Sequence, residues 1–281
     1  MRADRPQRTR PERQAPGAGR RILCTLAALS ACVALLLTGA APAHAVSEFR
    51  QQTPLQAGTR VELPHGYCTV GAVLSVTSWY ARLAPQIRAI RYVVLAAHCA
   101  DEGESVSVGN QGVVGRVIWK SGLSDLEIAK IDPLPRVNWN CGTGSMIRHC
   151  APFTSYTPRA SGTIFLRDHA HRIVSMPFDG TGVPGENEVF CTSGAVSGVN
   201  CAWGIAVLPP GAPPYLLGAT TWLASVTQGD SGGPVASQGG RLYGIIADGA
   251  RTTSERPDLM AYVPIARLFE EQPGYVLAPP G

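Results

Sequence analysis

Three short segments carry residue types that together could perform nucleophilic chemistry. Gly229-Asp230-Ser231-Gly232-Gly233-Pro234 places a serine hydroxyl on a glycine-rich turn. A serine nucleophile needs exposure, a base to take its proton, and backbone N–H groups facing the oxyanion that forms beside it. Gly229 can take backbone angles closed to other residues and present its N–H without a side chain in the way. Gly232 and Gly233 let the chain leave the turn sharply. The hexapeptide is more specific than a lone Gly-x-Ser-x-Gly, which an ordinary turn can supply.

The second segment is Tyr92-Val-Val-Leu-Ala-Ala-His98-Cys99, an apolar strand ending in a histidine. A general base must be held still, and a disulfide at the adjacent residue would do so. His65, His149, His169 and His171 lie in polar contexts without such an anchor. The third segment is Ser124-Asp125-Leu-Glu-Ile-Ala-Lys-Ile131, with Asp125 at the mouth of an alternating strand. A carboxylate there could accept from the histidine and fix its tautomer. Read singly, His98 is a strand-end histidine and Asp125 a turn residue; their combination with Ser231 is what suggests a site.

The elements that must position these residues read as strands. Short segments rich in Val, Ile, Leu, Thr or Tyr recur between Pro and Gly clusters, among them 69–76, 92–97, 112–119, 126–131, 163–166, 172–176, 202–207, 215–223, 241–247 and 259–263. Ten or so strands at this spacing predict an all-β protein. One helical pattern, over 264–272, follows the last strand. Residues 46–66 read as a short polar arm, and the Pro-rich stretch 133–160 as a connector between two halves.

The 281 residues carry a formal charge of +4, unevenly placed. Residues 1–45 hold seven arginines against Asp4 and Glu12; residues 46–281 hold 17 Lys+Arg and 18 Asp+Glu, a net of −1. An overall charge drive toward nucleic acid or anionic membrane therefore disappears with the leader. Arg20-Arg21, the apolar run 22–37 and Ala43-His44-Ala45 read as a signal peptide, with cleavage leaving Val46 at the N-terminus. The alternatives are a twin-arginine route and a lipid anchor at Cys32. No later segment is long and apolar enough to span a bilayer. The expected localisation is extracellular.

Six cysteines remain after the leader: Cys68, Cys99, Cys141, Cys150, Cys191 and Cys201. An even set in an exported chain predicts disulfides, and sequential pairing is the simplest of the possible connectivities. No Cys-x-x-Cys pair suggests zinc.

In the order His98, Asp125, Ser231, these motifs resemble the chymotrypsin-fold serine proteases. Cys191-Thr-Ser-Gly-Ala-Val-Ser-Gly-Val-Asn-Cys201 and Tyr67-Cys68-Thr-Val-Gly-Ala-Val73 resemble the secreted bacterial branch, the streptogrisin and α-lytic protease relatives. The resemblance runs over about residues 67–249. It implies two antiparallel β-barrels, the first over about 61–150 and the second over about 160–263, with a short C-terminal helix. It implies a serine endopeptidase in which His98 is the base, Asp125 orients it, Ser231 attacks, and the N–H groups of Gly229 and Ser231 form the oxyanion hole. It implies protein or peptide substrates, no cofactor, no metal and no nucleic-acid partner, and a monomer. The alternative is a catalytically inactive protein on the same fold that acts by binding.

The resemblance also places the substrate pocket, around Ser225, Asp248, Gly249 and Asp258. A carboxylate at Asp258 would favour Lys or Arg substrates; if Asp258 is a solvated turn residue, the pocket is apolar. Three departures stand out. Val46-Ser47-Glu48 is not the Ile-Val-Gly-Gly end that pairs with the aspartate before the nucleophile in animal enzymes. Thr192 replaces the arginine that follows this cysteine in many bacterial relatives. No cysteine follows Cys201, so the disulfide flanking the nucleophile is missing. The Val46 amine, an arginine elsewhere or a hydrogen-bond network could balance Asp230.

Overall fold

The computed structural model describes residues 47–141, 150–248 and 256–281. The signal-peptide, cleavage-site and Cys32 readings fall outside the described residues. Among the described residues, no helix is long and apolar enough to cross a membrane.

The first part of the chain forms β1 (Leu55–Ala57), β2 (Arg60–Leu63), β3 (Gly66–Thr69), β4 (Ala72–Val76), β5 (Arg91–Leu95), β6 (Ser105–Ser107), β7 (Val113–Lys120) and β8 (Glu127–Ile131). A short helix, α1 (Pro85–Ala89), precedes β5. The stretch read as a polar arm in fact contains β1 and β2. Leu55, Ala57, Val61 and Leu63 are buried there, because alternate positions point inward even where the intervening ones are polar.

Next come β9 (Leu134–Cys141) and β10 (Cys150–Thr157), paired antiparallel as a two-stranded sheet of their own. The Pro-rich connector is thus a regular hairpin. Pro135 and Pro152 fit because a two-stranded ribbon has edges where no N–H is required. β11 (Ala160–Arg167) and β12 (Ile173–Pro177) form a three-stranded sheet with β1.

The second part closes into a six-stranded barrel, β13 (Phe190–Gly194), β14 (Gly198–Ala206), β15 (Leu217–Thr221), β18 (Leu259–Pro264), β17 (Leu242–Asp248) and β16 (Pro234–Ala236), in that spatial order. α2 (Ile265–Glu271) follows Pro264 and buries Ile265 and Leu268, close to the expected 264–272. The chain then returns as β19 (Tyr275–Leu277), which pairs with β4. This completes an eight-stranded antiparallel sheet, β19-β4-β5-β8-β7-β6-β2-β3.

One apolar cluster joins the two parts. Leu74, Val94, Leu126 and Ile128 of the first pack with Leu242, Ile245, Val263 and Leu268 of the second. Burying such side chains stabilises by roughly 1.5–3 kcal/mol each. The same cluster fixes how the strand end at Leu95 and the mouth of β8 face the barrel.

The disulfides are Cys68–Cys99, Cys141–Cys150 and Cys191–Cys201, the sequential pairing. In protein lacking residues 1–45, alkylation under denaturing, non-reducing conditions should therefore label no cysteine; two or more labelled thiols would contradict the pairing. Replacing Cys68 and Cys99 together by Ala should lower stability by roughly 3 kcal/mol in urea unfolding, since the bridge closes a loop of 31 residues.

Candidate active site

His98 sits in a single 3-10 turn, Ala97–Cys99, directly after β5. The turn is closed by Cys99 N–H donating to Ala96 O and is pinned to β3 by the Cys68–Cys99 bridge. Asp125 lies just before β8, which pairs with β5 through Leu95 and Glu127. Its carboxylate grips His98 at two points. Oδ1 accepts the His98 backbone N–H at 2.9 Å, and Oδ2 lies 2.8 Å from Nδ1. An ionised carboxylate can only accept, so in this pair the ring proton sits on Nδ1.

Ser231 occupies the turn between Thr227 and β16. His98, Asp125 and Ser231 line one cleft of about 1300 Å³. Among the described residues, the N–H groups of Gly229 and Ser231 have no hydrogen-bond partner, whereas those of Gly232 and Gly233 are bonded to Ile246 O and Asp230 O. Gly229 has φ +96°, and a Cβ there would lie 2.2 Å from the Tyr67 ring, so only glycine fits.

Thr69 stitches the turn to the first sheet. Its N–H donates to Ser231 O at 2.9 Å, its Oγ1 donates to Gly229 O at 2.7 Å, and the same oxygen accepts from Ala195 N–H at 3.0 Å. Spacing alone gives no sign of this role, because Thr69 reads as one more strand residue.

Asp230 is fully buried. Oδ1 accepts from the N–H groups of Val196 and Ser197 at 2.8 and 3.0 Å, and Oδ2 from Thr227 N–H at 2.9 Å. A Cβ on Gly194 would approach Oδ1 to 2.2 Å, so glycine is what lets β13 pass so close. The charge is balanced further by Arg50, which is itself 2% exposed. Arg50 Nη1 donates to Gly58 O at 2.7 Å, and both Nη atoms reach Ser193 Oγ, next to Gly194. Its guanidinium lies 4.8 Å from the Phe165 ring. Burial lowers Arg50 to about 10, Asp230 acting against that fall and Arg167 adding to it, so Arg50 stays charged at neutral pH. Thr192 accepts from the Trp203 indole at 2.9 Å. A network plus an arginine from the N-terminal segment thus holds Asp230. Arg50 escaped sequence reading because a cation one residue from Phe49 gives no sign that it is buried.

Glu127 was also not singled out. It is fully buried in β8, two residues from Asp125, and neither carboxylate oxygen has a hydrogen-bond partner. Lys120, opposite it in β7, donates instead to Ala100 O and Asp101 Oδ1. Burial pushes the Glu127 carboxyl up to about 9; Lys120 opposes this and Asp125 adds to it. Glu127 is therefore protonated at neutral pH. Nearby, His65 Nε2 lies 3.1 Å from Glu104 Oε1, and Asp101 is paired with Lys120, an exposed ion-pair network at the cleft rim.

The expected pocket residues are placed differently. Val226, Ala247, Leu259, Met260 and Ala261 line the cleft; Ser225 and Asp258 do not. Ser225 Oγ is buried without a hydrogen-bond partner. Asp258 pairs with Arg256 at 3.1 Å and accepts from Thr220 Oγ1, so its charge is already spent; these contacts hold it well below the usual carboxylate range. In each case the next residue along the chain, Val226 or Leu259, lines the cleft instead. Asp248 pairs with Ala261 through its backbone. Its side chain and Gly249 lie outside the described residues. The Pro-rich segment from Leu208 to Leu216 forms a further wall that the sequence reading did not assign to the site.

No protein-family model matches the chain, and no curated protein matches it significantly in sequence. Solved structures do. Nocardiopsis protease aligns with a TM-score of 0.53 at 17% identity, over 80% of this chain and 98% of its own. Thermobifida fusca protease A gives 0.54 at 16% identity, over 81% and 99%. Cellulomonas bogoriensis chymotrypsin gives 0.51 at 14%, over 79% and 97%. This is the chymotrypsin fold. At such identities the likeness is one of architecture, and residue roles rest on the geometry above.

Two substitutions check the electrostatics. Arg50→Met should destabilise by roughly 1–3 kcal/mol in urea unfolding, with Arg50→Lys in between, since Lys restores charge but not the forked hydrogen bonding. For Glu127, the folded-state value lies above the unfolded one. Its neutral form is therefore favourable below about pH 4.5, and that stability is lost as pH rises toward about 9. Glu127→Gln should thus match the parent near pH 4 and exceed it by on the order of 4–5 kcal/mol at pH 8; a pH-independent difference would refute the assignment.

Proposed function

We propose that the chain is a secreted serine endopeptidase. The observation that carries this reading is the double grip of Asp125 on His98 in the same cleft as Ser231. In this reading His98 Nε2 takes the Ser231 proton as Oγ attacks a peptide carbonyl. The oxyanion is received by the N–H groups of Gly229 and Ser231. His98 then protonates the leaving amine, and water, activated in the same way, releases the acyl group. Asp125 keeps the ring oriented and balances the imidazolium in each half-reaction. The chain's own side chains and amides account for each of these steps.

The alternative, a binding protein on this fold without hydrolysis, rests on the absence of the usual partner for Asp230. Three amides and Arg50 supply what that partner would, so the catalytic reading is favoured. The apolar lining at Val226, Leu259 and Met260 supports a substrate side chain that is small or medium and uncharged.

Ser231→Ala should lower the hydrolysis rate on the order of 10⁶-fold with little change in stability. A fluorophosphonate probe should label the parent and not the variant. Near-normal peptidase activity in Ser231→Ala would end the proposal. On paired substrates differing only in the residue before the scissile bond, Ala or Leu should exceed Arg at least ~10-fold in kcat/KM; the reverse order would refute the apolar pocket.

A further inference from the structure

Two glutamates, Glu270 and Glu271, close α2 at its carbonyl end, where the helix dipole disfavours an anion. Glu270 pairs with Arg267 at 3.1 Å. Glu271 has no ion-pair partner among the described residues. Its two carboxylate oxygens accept instead from the hydroxyls of Ser124 and Ser121, 147 and 150 residues earlier in the chain. Both serines lie in the turn from β7 to β8, and Ser124 is the residue before Asp125.

The hydrogen bonds of this turn run in one direction. Ser121 N–H donates to Leu126 O at 2.8 Å and closes it. Inside, the N–H groups of Leu123 and Ser124 both donate to Ser121 Oγ at 2.9 Å. A hydroxyl has one proton and two lone pairs. With both lone pairs taken, Ser121 Oγ has only its proton left, and Glu271 Oε2 receives it. Ser124 Oγ then finds no free acceptor at Ser121, 3.2 Å away, and donates to Glu271 Oε1 at 2.7 Å. The carboxylate, accepting on both oxygens, thus sets the direction of both hydroxyls.

Glu271 is firmly mounted. Leu268, one helical turn earlier, is buried in the cluster shared by both parts of the chain, Phe269 packs against that cluster, and β19 pairs with β4 just beyond. Asp125 is less well secured by regular structure, because β8 begins only at Glu127. Its place follows from the turn that leads into it. We propose that Glu271 is a positioning residue for the active site: from the end of α2 it orients Ser121 and Ser124, and through that turn it sets Asp125 against His98. Glu271 does not line the cleft, whereas Ser124 and Asp125 do. The expected effect on rate rests on the hydrolytic reading; the effect on the His98–Asp125 pair does not.

The test compares Glu271→Ala, Glu271→Gln, Ser124→Ala and the Glu271→Ala/Ser124→Ala double variant with the exported parent, and uses Glu270→Ala as a control. Near-UV circular dichroism and thermal unfolding check that each variant folds. Glu271→Ala should lower kcat on the order of 10-fold, with KM within about two-fold of the parent, since Glu271 makes no contact in the cleft. The double variant should lose no more than about two-fold beyond the worse single variant, because both substitutions cut one path. Glu271→Gln keeps one acceptor and should recover at least ~3-fold of the lost rate. In histidine-labelled protein, the His98 Nδ1 proton should give a downfield magnetic resonance signal that moves or broadens in Glu271→Ala and is unchanged in Glu270→Ala. If Glu271→Ala does not fold, Glu271→Gln carries the same readouts with smaller changes. Unchanged kcat, a loss carried by KM, additive losses in the double variant, or an unchanged His98 signal would each overturn the proposal. A folded parent without hydrolysis would sink the hydrolytic reading instead, and the His98 signal would then decide the positioning role alone.

Discussion

The candidate site depends on a link only a few residues long. Cys68 is bonded to Cys99, the neighbour of His98, and Thr69, the neighbour of Cys68, is hydrogen-bonded to both Gly229 and Ser231. One covalent bridge and two hydrogen bonds therefore connect His98 to the serine turn across two separately formed sheets. The apolar cluster shared by β4, β5, β8, β17, β18 and α2 holds the sheets in place, but packing alone is non-directional. Directional bonds at Thr69 set the turn against the first sheet at hydrogen-bond precision, which proton transfer requires.

Around this link the charges are arranged unequally. Asp230 is buried with three backbone amides donating to its carboxyl oxygens and with Arg50 held close by through Ser193. Glu127, equally buried and close to Asp125, has no such partners and is kept neutral. The contrast follows from what each carboxyl meets. The loop 194–197 turns its N–H groups inward, whereas β8 has already committed its amides to β5 and β7. Only Asp125, at the mouth of that strand, is left with a polar partner on the cleft side. Retaining an orphan acid beside the site is a cost to stability, of the kind commonly found where function constrains sequence.

The hairpin β9–β10 has a different logic. It lies outside both large sheets, exposes most of its side chains and is closed near its tip by Cys141–Cys150. A two-stranded ribbon is marginal alone, so the bridge and its packing against α1 are what keep it ordered. Its proline-rich sequence, read as a connector, is compatible with a ribbon because few of its N–H groups have to be paired.

Local sequence determined the strand-rich class, the C-terminal helix and the three segments carrying His98, Asp125 and Ser231, and it left the disulfide connectivity open. Each of the former is written in neighbours along the chain: period-two apolar runs and punctuating Gly and Pro. Tertiary structure alone decided the rest. It turned Ser225 and Asp258 away from the cleft and Val226 and Leu259 toward it, a one-residue difference in facing that no propensity specifies. It buried Arg50 beside Ser193, 143 residues away, and Thr69 against Gly229, 160 residues away. A side chain's partner at that distance depends on how closed sheets pack, and packing is a property of the whole chain rather than of any segment in it.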